Sequence, residues 1–177
     1  ADIINIEPAR QKDWLRSDIS LVQAKVDNIR FKETKQKEPQ LDINYTIESS
    51  QYGNKTGKRL FIPVNIFHKG FYSPSNQGER TQDIQIKYGY LDIDSLNIRL
   101  PEGYEIESLP KTTDMETKFG KFHSSITLEE DGNILIVHRL LFHQGNYPKE
   151  DNTDFMDFRK NVATQYAAKI IVKKSGE

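Results

Sequence analysis

Cysteine is absent from the chain. That gap excludes disulfides, thiolate metal sites and cysteine nucleophiles together, and it leaves the compartment open. Long apolar runs are missing as well. The longest stretches, such as Ile134 to Val137 and Leu140 to Phe142, are strand-sized, against the roughly 18 residues a membrane helix needs. Nor is there an excess of either charge: 25 lysines and arginines stand against 26 acidic residues. A nucleic-acid binder carries a basic surplus that displaces counterions from phosphates. Here the basic residues are scattered, and Lys35 and Lys37 sit beside Glu33 and Glu38, so neither nucleic acid nor a membrane span is expected. Ala1 opens the chain without a charged-then-apolar leader. An export signal is therefore expected upstream or already removed, with the chain cut from a larger protein.

What is present is order. Apolar residues make up only 36% of the 177 residues, but they fall in alternating rows, which disordered chains lack. Residues 1–20 read as an entry segment or linker, because Pro8 and mixed polarity weaken any helix around Asp13 to Arg16. Residues 21–177 read as one sandwich domain, large enough to bury an ordinary core. Val22, Ala24 and Val26 share one face and Ile29 and Phe31 the other, a phase slip that predicts a bulge near Asp27 and Asn28. Leu41, Ile43, Tyr45 and Ile47 alternate with polar residues, the pattern of a strand packed on one side. Leu60, Ile62, Val64 and Ile66 form the next inward row, and Pro63 on the opposite face predicts an edge strand or a bulge.

After a long loop from His68 to Thr81, Ile84, Ile86, Tyr88 and Tyr90 align and are expected in the core. Leu96, Ile98 and Leu100 form a strand, Pro101-Glu102-Gly103 a turn, and Tyr104 to Leu109 the return. Phe122, Ser124, Ile126 and Leu128 lead to the hairpin signal Asp131-Gly132. Ile134 to His143 is apolar on both faces and is expected at the centre of a sheet, covered on both sides. A helix over about 152–167, capped by Asn152 or Thr153, carries the stripe Phe155, Phe158, Val162 and Tyr166, and a strand over 169–174 ends the fold.

Reactive groups are not gathered by this pattern. His138 and His143 point to opposite faces of one strand, His123 is outward, and His68 borders the loop, so no metal set forms. No Gly-x-Ser-x-Gly elbow exists, and Ser124 and Ser125 lie within a strand. Glu129, Glu130 and Asp131 sit at a hairpin tip, where solvated carboxylates keep ordinary pKa values and make poor general acids. Gly53 to Lys58 lacks the spacing of a phosphate cradle. Neither catalysis nor a cofactor nor a metal is expected. Phe71 and Tyr72, two rings in the long polar loop, are with Arg80 the candidate interaction residues.

One succession of motifs goes further. Asp83-Ile84-Gln85-Ile86 leads through Tyr90, Asp92 and Asp94 to Leu100-Pro101-Glu102-Gly103-Tyr104 and Leu109-Pro110. Phe119-Gly120-Lys121-Phe122, Arg139, Gly145-Asn146-Tyr147-Pro148 and Asp154-Phe155 with Phe158-Arg159 follow. Over about residues 80–174, and more loosely from residue 21, this resembles the C-terminal domain of unknown function of exported bacterial transglutaminase-like proteins. The resemblance implies a mostly β, antiparallel, jelly-roll-like β-sandwich with one C-terminal amphipathic helix, periplasmic or otherwise exported and non-catalytic. Its partner would be a transglutaminase-like core or a cell-envelope protein. A carbohydrate-binding module, and a hydrolase with an unrecognised carboxylate site, are the alternatives.

Overall fold

The computed structural model describes residues 3–67 and 80–175. Its contacts form two compact units, residues 1–53 with 66–70, and residues 54–65 with 71–177.

In the first unit, a 3-10 turn (Ile3–Asn5) precedes helix α1 (Pro8–Asp18), so the segment expected as a linker is folded. Pro8 starts the helix rather than breaking it, because the first turn needs no N–H from it and its fixed φ suits that position. Gln11 Nε2 donates to the carbonyls of Ile3 and Ile4, both at 3.1 Å, which ties the turn to α1. Strands β1 (Lys25–Thr34) and β2 (Gln40–Glu48) then pair antiparallel. Their register shifts between Asp27 and Arg30, and Asn28 takes a φ of +55°, where the alternation slips phase in the sequence. Lys12 Nζ reaches the Asp27 carboxylate at 3.0 Å, and hydrogen bonds from Lys12 and Lys25 hold that carboxyl below its ordinary range. The alternation of β2 is real but shallow. Ile43, Tyr45 and Ile47 are half-buried and Leu41 is exposed, in a sheet of two described strands. Val22 is also exposed, because it lies in a turn before β1 where Gln23 has a positive φ.

The second unit holds the remaining strands. One sheet has the order β3 (Asn54–Thr56), β4 (Arg59–Pro63), β12 (Lys169–Lys174), β7 (Tyr104–Ser108). Pro63 does not mark an edge strand: β4 lies inside the sheet, and Pro63 is its last residue, beyond the part of β4 that β3 pairs. Ile62, Ile170 and Val172 form its buried face.

A second sheet has the order β6 (Tyr90–Arg99), β10 (Asn133–Phe142), β9 (Gly120–Leu128), β8 (Thr113–Thr117). All pairings are antiparallel, and the packing is sandwich-like with no closed barrel. A short pair, β5 (Ile84–Ile86) with β11 (Gly145–Tyr147), completes the strands. Gly132 at +80° makes the β9–β10 hairpin turn, and Gly103 at +74° makes the turn before β7. The β9–β10 register is unbroken at Gly120. Glycine is needed there because a Cβ would lie 1.9 Å from the Leu141 carbonyl oxygen.

Helix α2 (Asn152–Tyr166), entered through a 3-10 turn (Lys149–Asp151), packs on the second sheet. Asn152 and Thr153 are already helical, and Asp151 at the N-cap makes no side-chain capping bond; its carboxylate instead takes Lys118 at 2.6 Å. The predicted stripe holds. Phe158, Val162 and Tyr166 are buried against Ile84, Phe119, Phe122, Leu140 and Phe142, with Phe155 at the margin. Phe158 meets Phe142 edge-to-face at 5.6 Å, and Phe119 meets Phe155 at 5.1 Å, geometries aromatic quadrupoles favour.

Candidate interaction surfaces

Alternation divides β10 between two environments. Ile134, Ile136, His138, Leu140 and Phe142 face inward and are buried. Within that row, His138 is flanked on the neighbouring strands by Ser124 of β9 and Asp94 of β6. A serine, a histidine and an aspartate in line suggest a nucleophile and its base. Accessibility argues for a different role: Ser124 is 0% exposed and His138 2%, so neither meets solvent. His138 Nε2 lies 3.2 Å from the Val64 carbonyl, and the ring packs edge-to-face on Tyr166 at 5.3 Å and stacks near Phe122 at 6.1 Å. The carbonyl can only accept, so Nε2 carries the proton. The imidazole thus links the end of β4 to the helix layer. Burial, then the charges of Asp94 and Asp92, push the Tyr166 phenol well above its usual range.

The outward face is different. The expectation that β10 is covered on both sides holds on the helix side only. Leu135, Val137 and Leu141 are half-buried and Arg139 is exposed. Alongside, on β6, Leu91 stands opposite Leu141 and Ile93 opposite Arg139, and both are 55% exposed. On β9 and β8 the face turns polar: His123 Nδ1 lies 2.8 Å from Asp114, and Lys121 lies 2.6 Å from Glu116. A hollow of about 370 Å³ opens where the two halves meet, lined by Leu91, Arg139 and Leu141 on one side and by Asp114, Glu116, Lys121 and His123 on the other. The apolar half was visible in the sequence as Leu91-x-Ile93 beside Leu135, Val137 and Leu141. What periodicity could not show was which face the helix leaves bare.

Two further hollows lie in the same unit. One, of about 710 Å³, runs between β8 and α2. The other, of about 440 Å³, is lined by Gln85, Lys87, Tyr88, Gln144 and Asn146. Tyr88 and Tyr90 were expected in the core, and the structure corrects both. β5 ends at Ile86, so the alternation stops before Tyr88, which is 80% exposed. Tyr90 begins β6 and is also exposed, with its ring 5.3 Å from Phe142.

Of the residues singled out in the sequence, Phe71, Tyr72 and His68 lie outside the described residues. Arg80 is exposed, and its Nε donates to the Gln82 carbonyl at 2.9 Å. Glu129, Glu130 and Asp131 are exposed at the β9–β10 tip, where Asp131 accepts from the Asn133 backbone and side chain. His143 Nδ1 lies 3.2 Å from the Lys118 carbonyl. Among the described residues, no group of histidines and carboxylates is placed to hold a metal ion, and no helix is long and apolar enough to cross a membrane.

Fold and surface together define a mostly β, antiparallel, sandwich-like domain with one C-terminal helix and a partly apolar sheet face turned to solvent. Residues 58–172 match the family described as a Domain of Unknown Function with solved-structure structure, DUF3858, and the chain belongs to it. The matched span runs from β4 into β12 and leaves out α1, β1 and β2. No curated protein and no solved structure matches the chain.

Proposed function

We propose that the chain is a non-catalytic accessory domain of an exported, transglutaminase-like bacterial protein. It docks on the core of that protein, or on an envelope partner, through the outer face of the β6–β10–β9–β8 sheet. The carrying observation is the exposed pair Leu91 and Ile93 beside half-buried Leu135, Val137 and Leu141. Covering what Leu91 and Ile93 leave in water is worth roughly 2 kcal/mol, and a polar rim around such a patch is the common anatomy of a binding face. Arg139 in its midst adds selectivity: a partner that buried this guanidinium without an acceptor would lose much of what the apolar contact gains. The ordered motifs from Asp83 to Arg159 support the link to transglutaminase-like proteins.

The test is co-elution of this chain with a separately expressed transglutaminase-like core encoded in the same reading frame. The wild type should co-migrate with the core, and Leu91→Lys/Ile93→Lys should not, with circular dichroism confirming that the variant folds. A variant that binds as well as the wild type would refute the docking face. Turnover of an ester, peptide or glycoside by the purified chain, lost on changing one acidic or histidine side chain, would refute the non-catalytic reading.

A second reading rests on Tyr88. An exposed ring beside the amides of Gln85, Gln144 and Asn146 is the chemistry that binds a sugar, stacking on one face and hydrogen bonding at its rim. A glycan array with wild type and Tyr88→Ala decides it: binding that needs the ring supports a carbohydrate module, and an empty array removes that reading.

A further inference from the structure

Strand β8 is the outermost strand of its sheet: β9 pairs with one edge, and no described strand pairs with the other. In an edge strand, alternate backbone N–H and C=O groups point away from the sheet and can pair with an incoming strand. Beside that edge runs the hollow of about 710 Å³ between β8 and α2. Phe119 and Phe158 are buried at its floor, and Met115 packs against the same cluster. Its rim is acidic. Asp114 and Glu116 come from β8, and Asp154 and Asp157 project from α2, exposed. The one cation among the described lining residues, Lys118, is paired with Asp151 at 2.6 Å, while on the outer face Asp114 meets His123 and Glu116 meets Lys121 in exposed pairs.

A strand edge that no described strand covers, an apolar trough alongside it and acidic side chains on both banks specify one kind of occupant. We infer that β8 and α2 bind an extended peptide segment in which basic residues alternate with apolar ones. The segment adds to the sheet as a further strand on β8. Its main chain pairs with the free edge, its apolar side chains enter the trough on the α2 side, and its cations fall on the opposite face beside Asp114 and Glu116 of β8. The alternation follows from the strand period of two, which sends successive side chains to opposite sides. A polyanion is repelled by the same rim. The trough is separate from the exposed Leu91 and Ile93, which are not in its lining, although Asp114 and Glu116 border the outer-face hollow as well.

The test uses a fluorescein-labelled Lys-Val-Lys-Val-Lys-Val peptide titrated with the full chain and followed by anisotropy. Controls are the same peptide with glutamate for lysine, and the lysine peptide with alternate backbone amides N-methylated. Saturable binding is expected for the lysine peptide, and none for the glutamate peptide. Asp114→Asn/Glu116→Gln should weaken it about fivefold. N-methylation should weaken it about tenfold or more, since pairing bonds are lost while charge is kept. Amide shifts on binding should centre on Thr113 to Thr117. The Leu91→Lys/Ile93→Lys protein should bind the peptide like the wild type, which separates failure of this site from failure of the docking face. Absence of saturable binding, equal binding of the glutamate peptide, or indifference to N-methylation would each overturn the proposal.

Discussion

Gly120 and Gly132 require glycine for unlike reasons, and the difference is measurable. Around Gly132 there is open space, and only its φ of +80° resists a side chain, so Gly132→Ala should cost about 1–2 kcal/mol. At Gly120 the obstacle is the Leu141 carbonyl on the next strand, 1.9 Å from where a Cβ would stand. Backbone cannot step aside cheaply, so Gly120→Ala should cost about 3 kcal/mol or more. Urea denaturation of both variants gives the order, and a smaller loss at Gly120 would contradict it. Charge makes a different prediction. Arg59 holds Glu107 through two bonds, of 2.5 and 2.7 Å, and that hydrogen bonding lowers the Glu107 pKa. A carboxyl depressed in the folded state stabilises above its unfolded pKa and loses that contribution as pH falls through the folded value. The stability gap between wild type and Glu107→Gln should therefore exist at neutral pH and close in acid below the ordinary carboxylate range. Urea midpoints across that range test it, and a gap that widened on acidification would mean the sign is wrong.

Among the elements, α2 fixes which sheet face is core. Phe158 is buried against Phe142, so Phe158→Ala should cost about 3–5 kcal/mol. Phe155 is only partly buried, and truncating it should cost less in the same urea experiment. This helix was legible because spacings of three, four and four admit no strand reading. The Asp131-Gly132 turn, the Asp27–Asn28 bulge and the central place of β10 were legible for equally local reasons. Strand β8 was not. Thr113-Asp114-Met115-Glu116-Thr117 alternates, but its inward row is two threonines around one methionine, too weak a signal without the β9 partner that defines it. The acids of β6 were obscure in the same way. Asp92 and Asp94 lie on the inward face, opposite Leu140 and His138, where a strand pattern predicts apolar residues. Their meaning comes from β6 being an edge strand, since inward charges deter a second sheet from pairing there. The candidate surfaces were half legible: apolar residues could be listed, but only the packing of α2 shows which of them stay in water.

For the whole molecule, the division into two units makes the final prediction. Among the described residues, the aromatic cluster under α2 draws on residues 84–166, and the strands that pair with β12 begin at Arg59 and Tyr104. Nothing in those two sheets takes a strand from α1, β1 or β2, and the family match also omits that first segment. A chain of residues 54–177 should then fold by itself, with native-like circular dichroism and a single cooperative urea transition. Phe158→Ala should destabilise that shorter chain by the same amount as the full one, because none of its described partners has been removed. The cost of cutting should fall at Ile66. Its carbonyl accepts from the backbone and hydroxyl of Ser20, at 2.8 and 3.1 Å, and the side chain is fully buried in the full chain. Ile66→Ser should therefore help the shorter chain stay monomeric while it destabilises the full-length protein. If residues 54–177 show no cooperative transition, the two units are not independent folding bodies, and the sheets need the first segment in order to form.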